Sequence, residues 1–272
     1  MRASGAGSTT MMPFRVMLWN AGLVWEMARQ DLLGRHAGTI GGLLWSFMNP
    51  AVTLCVYWAV FELVLHSQGE NGISYAVFIS CGYLPWTAFV DMVSTCSNSV
   101  TSRRYIVSKT VFPSEILPLV SVMSSALLHI VLVILLAVVI AAWTGHATPF
   151  AFQLGYYLFA MAFFALGLGL ALAALNVLFR DIGQMTTVLL NIWFWLTPVV
   201  WPLDALPRNL RFAASLNPMV YIAEGYRDSL FRGVPFWAKP VESACFWGMC
   251  LLVLAFGSYV FTRLRPEFAE LL

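Results

Sequence analysis

The side chains able to do chemistry in this 272-residue chain are few and scattered. Its two lysines, Lys109 and Lys239, do not follow a glycine, so no G-x-x-x-x-G-K-[ST] loop is present to cradle a nucleotide phosphate. The four histidines, His36, His66, His129 and His146, lie too far apart to suggest a metal site. Neither H-E-x-x-H nor G-x-S-x-G occurs. The five cysteines, Cys55, Cys81, Cys96, Cys245 and Cys250, show no C-x-x-C and sit in or beside apolar stretches, as small core residues do. We therefore expect no hydrolysis by the chain itself and no metal or cofactor within it. Three ionisable groups fall in or at the end of apolar stretches: Glu62, Asp91 and His129. Such a group at membrane depth is a functional candidate by default. The plainer reading of His129 is a neutral imidazole bonded between helices. Asp91, well inside its stretch, needs a partner or water.

The elements that position these groups follow from composition. Hydrophobic residues make up 60% of the chain and charged residues 10%, against roughly 25% charged in a soluble domain. A core of this size cannot hide that much apolar surface, so lipid must cover it. The net charge of +2 is too small to suggest a nucleic-acid partner. Lys, Arg, Asp and Glu are missing from 36–61, 71–90, 116–179, 182–203 and 243–262. The third stretch is about twice the roughly 20 residues needed to cross a bilayer, and Thr144-Gly145-His146-Ala147-Thr148-Pro149 divides it.

The expected fold is an all-α integral membrane domain with six transmembrane helices, at about 39–65, 74–98, 115–143, 150–178, 183–203 and 243–262. Pro198 and Pro202 break the second half of the fifth. Residues 1–13 form a small polar tail without a signal-peptide core, so no cleavage is expected, and 14–272 form one transmembrane domain.

Between Phe14 and His36 apolar residues alternate with Arg15, Glu26, Arg29, Asp31 and Arg35. This pattern predicts an amphipathic helix in the membrane interface; a helix packed on another chain would read the same way. Gly34, Gly38 and Gly42 then allow either close helix contact or an elbow. Arg2, Arg15, Arg29 and Arg35 precede span one, Arg103, Arg104 and Lys109 follow span two, Arg180 follows span four, and Arg263 and Arg265 follow span six. These fall on one side, which is expected to be cytoplasmic, with both termini there. The loop after span five departs from the pattern, carrying five basic residues together with Asp204, Glu224, Asp228 and Glu242.

Four stretches then carry a resemblance. The first is Arg29-Gln30-Asp31-Leu32-Leu33-Gly34-Arg35, followed by Gly41-Gly42-Leu43-Leu44-Trp45 and Asn49-Pro50. The second is Asn176-Val177-Leu178-Phe179-Arg180-Asp181-Ile182, and the third is Trp193-Phe194-Trp195-Leu196-Thr197-Pro198-Val199-Val200. The fourth is Leu216-Asn217-Pro218-Met219 leading to Glu224-Gly225-Tyr226-Arg227. In order and spacing the chain, from about residue 20, resembles the permease subunits of polysaccharide-exporting ATP-binding-cassette transporters, the Wzm-like O-antigen exporters. Teichoic-acid and capsular polysaccharide permeases share much of the pattern, and a membrane-embedded lipid-carrier transferase, or a channel or secondary transporter, is the reading outside this superfamily. The resemblance implies a homodimer in the bacterial inner membrane that binds two separate ATPase subunits. It also implies export of a glycan linked to undecaprenyl pyrophosphate, with ATP-Mg on the partner subunit and none in this chain.

The resemblance also places functional residues. Ser102 to Lys109 would form a short cytoplasmic helix that docks on the ATPase, with Arg103, Arg104, Tyr105 and Lys109 as its contacts. Arg29 and Arg35 would collect the lipid pyrophosphate at the entrance, since a guanidinium fork matches phosphate oxygens. Arg180 and Asp181 are expected to be structural, each bonding a different neighbour. Tyr57, Trp58, Phe61, Tyr83, Trp86, Trp193, Trp195 and Trp201 are candidates to line a glycan path, roughly half of them facing it. Short re-entrant helices, at Asn217-Pro218 and from Glu224 to Arg227, would surround the exit.

Overall fold

The structure, a computed structural model, describes residues 21–35, 38–64, 66, 74–109, 113–145 and 148–271. The expected tail at 1–13, and residues 14–20 of the expected interfacial helix, lie outside the described residues. Among the described residues every regular element is helical.

Helix α1 spans Ala21–Gly34. Val24 and Ala28, four residues apart and so on one face, are buried against Ile116 and Val120, while Glu26 and Arg29 stay exposed. The chain then turns through Gly38 (φ +85°) and Gly42 (φ +48°), a backbone region that glycine enters without steric cost. The glycine repeat is therefore an elbow, not a helix contact. Helix α2 (Leu44–Trp58) continues as a widened turn, Ala59–Val64. Helix α3 is Tyr75–Ser97, capped by the Ser74 hydroxyl, which accepts from the Ala76 amide at 3.2 Å. A tight turn at Thr101–Arg103 leads into α4, Arg104–Lys109.

Helices α5 (Ile116–Thr144) and α6 (Gln153–Leu178) follow, α5 closing on Gly145 at φ +70°. Next come α7 (Ile182–Leu196), α8 (Arg208–Ser215) and α9 (Pro218–Arg227), the last continuing as a wide turn, Asp228–Arg232. Helix α10 (Pro240–Leu264) is followed by α11, Phe268–Leu271.

Among the described residues, five helical stretches are long and apolar enough to cross a bilayer: Leu44–Val64, Tyr75–Ser97, Ile116–Trp143, Gln153–Leu178 and Pro240–Glu267. The stretch expected to cross at 183–203 is the 15-residue α7, shorter than the roughly 20 residues a crossing needs. Its end has a local cause. Thr197 precedes Pro198 and takes an extended backbone (φ −104°, ψ +136°), as the proline ring requires of its predecessor.

Helices α3 and α6 form the centre, and α10 lies directly against α6. A Cβ on Gly257 would stand 2.0 Å from the Gly167 carbonyl oxygen, so two glycines bring these backbones into contact. Helix α2 has no buried residue. Elements α1, α4 and α11 gather at one end of the bundle. Arg103 of the turn before α4 pairs with Asp31 of α1, Arg265 pairs with Glu115, and α11 packs on α4. We call this the basic end; both described ends of the chain lie there.

At the opposite end α9 folds back into the bundle, burying Tyr221, Ile222, Tyr226 and Arg227. The Arg227 side chain has no exposed surface. Its Nη1 donates to Glu224 Oε1 at 2.6 Å and its Nη2 to the Val199 carbonyl at 2.9 Å. Its guanidinium carbon lies 3.8 Å from the Phe78 ring centroid, a cation–π contact. Arg232 bonds both Glu224 and Asp228, and Lys239 bonds Asp228. Of the charges that broke the lysine and arginine pattern, Arg227, Arg232 and Lys239 are thus paired with Glu224 and Asp228, and Arg211 with Asp204. Burial pushes the Glu224 carboxyl up, but Arg227 and Arg232 outweigh it and hold the group below its ordinary value.

Three substitutions test this packing. Gly257→Ala drives a methyl into the Gly167 carbonyl and should cost about 1–3 kcal/mol, read as a lower unfolding midpoint in detergent. Glu224→Gln strands the Arg227 guanidinium and should cost about 3–5 kcal/mol. Arg227→Met should cost less, because Glu224 keeps Arg232. The reverse order of midpoints would show that the cluster is not built to satisfy Arg227.

Candidate functional site

Four charged side chains, Asp31, Arg35, Asp91 and Arg103, line one cavity at the basic end. It has a volume of about 620 Å³ and lies among α1, α2, α3 and α5. Arg35, just past α1, reaches across it. Its Nη1 donates to Asp91 Oδ2 on α3 at 2.6 Å, and its Nη2 donates to the Ser125 hydroxyl on α5 at 2.8 Å. Its Nε lies 3.6 Å from Asp31 Oδ2, and Asp31 accepts a further hydrogen bond from Arg103. Four side chains of alternating sign, Arg103, Asp31, Arg35 and Asp91, thus form one chain from the surface turn into the bundle. Asp91 has found the partner its position demanded, from a residue 56 positions earlier.

Hydroxyl and amide groups supply much of the remaining wall, among them Ser46, Asn49, Thr87, Ser94 and Ser121. On α5, His129 lines the cavity and is buried to 1% exposure. One ring nitrogen, Nε2, is 2.7 Å from the Tyr226 hydroxyl, joining α5 to α9. The other, Nδ1, has no partner among the described residues. His129 is therefore bonded between helices, with one polar atom left over.

Tyr83, Thr87, Asp91 and Ser94 also line a second cavity of about 430 Å³, whose other walls include Tyr57, Trp86, Asn191 and Phe194. The two cavities share this wall, so a polar, ionic region lies beside an aromatic one. Tyr57 and Tyr83 meet edge to face at 5.4 Å, and Tyr57 stacks against Phe194 at 6.5 Å.

The residues singled out from sequence divide accordingly. Arg35 faces the polar cavity, whereas Arg29 is 63% exposed and pairs with Glu26 on the outer face of α1. Tyr57, Tyr83 and Trp86 line the aromatic cavity. Phe61 packs on Tyr75, and Trp58 and Trp195 are exposed. Trp201 donates to the Trp195 carbonyl. Trp193 is enclosed by Trp86, Phe89 and Phe164, and its indole donates to Asn217 Oδ1 at 3.0 Å. Arg103 is committed to Asp31, while Arg104 is exposed and Tyr105 is 68% exposed on α4. The helix reaches Lys109, whose side chain lies outside the description. Arg180 and Asp181 are exposed, and neither side chain shows a bond to another described residue.

Sequence reasoning missed the amides that tie the helix ends. Asn176 donates to the Ser97 carbonyl and accepts from the Gly183 amide, each at 3.1 Å, joining the ends of α3 and α6 to the start of α7. Asn217 caps α9 through Met219 N at 3.0 Å and donates to Thr197 at 2.9 Å. Both residues were in the quoted stretches, and an asparagine beside Pro218 is a capping signal.

A sequence model of the membrane component of ABC-2 type transporters matches residues 23–231. The O-antigen export system permease protein RfbA of Myxococcus xanthus is 32% identical over 257 residues, covering 92% of this chain and 95% of that one. A protein of the same name from Klebsiella pneumoniae is 28% identical over 94% of this chain and 98% of that one. The polysialic acid transport protein KpsM of Escherichia coli is 20% identical over 83% and 86%. The match takes in α1, the ion-pair chain, both cavities and the folded-back α9, and the chain belongs to the ABC-2 type transporter membrane family.

Proposed function

We propose that this chain is the permease subunit of a polysaccharide exporter, moving a lipid-linked glycan of the O-antigen type across the bacterial cytoplasmic membrane. The observation that carries this reading is the adjacency of an ionic and hydroxyl-lined cavity beside α1 to an aromatic one, across a shared wall. A phosphate-bearing lipid head suits the first, through Arg35. A sliding sugar chain suits the second, since ring stacking holds weakly and tolerates movement. O-antigen over capsule is favoured by the higher identity to the export permeases named for O-antigen.

In this reading the basic end is cytoplasmic, with both termini there, and the carrier is undecaprenyl pyrophosphate. ATP, with its magnesium, is hydrolysed in this reading by a separate subunit, which agrees with the lack of a phosphate-cradling loop in the sequence. Two such subunits serve a homodimer of this chain. The uncovered faces of α2 and of α7, with Val188, Leu189 and Ile192 exposed, are where a second copy would close the aromatic cavity.

Helix α4 is the docking element for the ATPase, through Arg104 and Tyr105. Arg103 acts behind it by holding Asp31. Arg104→Glu and Tyr105→Ala should each weaken the complex by about 1–2 kcal/mol, the range of a significant interface residue. Co-purification and substrate-driven ATP turnover would both fall about tenfold. Normal assembly and export in both variants would remove α4 from that role.

The aromatic cavity has its own test. Tyr57→Leu and Tyr83→Leu remove rings worth of the order of 1 kcal/mol each, so export should drop about fivefold, with assembly and basal ATP turnover intact. Trp193→Leu should instead lower the yield of folded protein, because it takes a partner from Asn217. Export at the unaltered rate in both tyrosine variants would leave these rings as packing alone.

A further inference from the structure

The Arg35–Asp91 pair is unequal in its surroundings. The Arg35 side chain is 14% exposed and that of Asp91 is 36% exposed. Asp91 thus keeps an open side towards the cavity, whereas Arg35 is held almost fully enclosed. Arg35 would not swing free, because Asp31, itself held by Arg103, stays beside its Nε. The site thus contains a pinned cation and a removable counter-charge. Asp91 also stands on the wall shared by both cavities.

We propose that Asp91 is a displaceable counter-ion: the diphosphate of a lipid substrate replaces it on Arg35. This rests on the lipid-linked substrate read above. The exchange sets a threshold. A guanidinium with no counter-ion would hold any phosphate, including the singly charged phosphodiester of bulk phospholipid. With Asp91 in place, an entering group must outbid a carboxylate at 2.6 Å. A diphosphate, with more charge and oxygens placed for the guanidinium fork, does so, whereas a phosphodiester of the same unit charge as Asp91 gains little. Asp91 is thus a specificity-determining residue, and Asp31 a positioning residue for Arg35.

The test is binding of undecaprenyl diphosphate to the full chain in lipid nanodiscs, beside undecaprenol and inorganic diphosphate. Removing the competitor with Asp91→Asn should tighten undecaprenyl diphosphate about tenfold and let phosphatidylglycerol compete, which it should not do in the unaltered chain. Asp91→Glu keeps the charge and should stay within twofold, which guards against a fold defect in the first variant. Arg35→Gln should weaken binding at least tenfold, and undecaprenol should be indifferent to all three changes. Weaker or unchanged binding in Asp91→Asn, with the diphosphate still preferred over undecaprenol, would overturn the exchange alone. Loss of that preference in the unaltered chain and in Asp91→Asn together would overturn the lipid-linked reading itself. Inorganic diphosphate binding as tightly as the lipid would show a site for free anions and also overturn the proposal.

Discussion

A charge at membrane depth is tolerated only when the protein itself supplies the counter-charge and the remaining hydrogen bonds. Both ends of this bundle are organised by that requirement. At one end the fully enclosed Arg227 draws in Glu224, the Val199 carbonyl and the Phe78 ring. That arrangement obliges α9 to fold back between α3 and α6, and obliges residue 82 to have no side chain, since a Cβ there would lie 2.7 Å from Arg227 Nη2. At the other end Asp91 is met by Arg35, which brings the segment after α1 across the face of α3. The hydrogen bond between His129 and Tyr226 joins the two systems through α5. The polar interior is thus a set of obligations that fix where each helix can lie.

Much of the helical plan was legible because apolar length and charge punctuation are local signals. The stretch expected at 74–98 is α3 at Tyr75–Ser97, and that expected at 150–178 contains α6 at Gln153–Leu178. The expectation loosened where a proline acted against the apolar run. Pro198 ends α7 at 15 residues, although the surrounding sequence is apolar to Leu203. The glycine spacing from 34 to 42 allowed two readings, and only the backbone angles at Gly38 and Gly42 decide for the elbow.

The site was less legible, because its contacts join residues far apart. Asp91 could be recognised as needing a partner, but Arg35 is 56 residues away and Ser125 is 90 from Arg35. Arg103 and Arg104 are neighbours with the same chemistry, yet one turns inward to Asp31 and the other faces outward. A helix places consecutive side chains about 100° apart, and composition does not say which of the two meets the core. The same geometry separates Trp193, enclosed and bonded to Asn217, from Trp195, which is 62% exposed. Aromatic type marked the region; direction had to come from packing.

The seating of α1 bears on the order in which the chain can assemble. Val24 and Ala28 rest on Ile116 and Val120, residues made some ninety positions later. Arg35 and Asp31 likewise wait for Asp91, Ser125 and Arg103. The first of the described helices therefore has no docking site until the third long helix has been made. During that interval it is joined to α2 by the glycine elbow and lacks the apolar partner that buries Val24 and Ala28. Synthesis runs from the amino terminus, but closure of this end of the bundle depends on a segment near its middle.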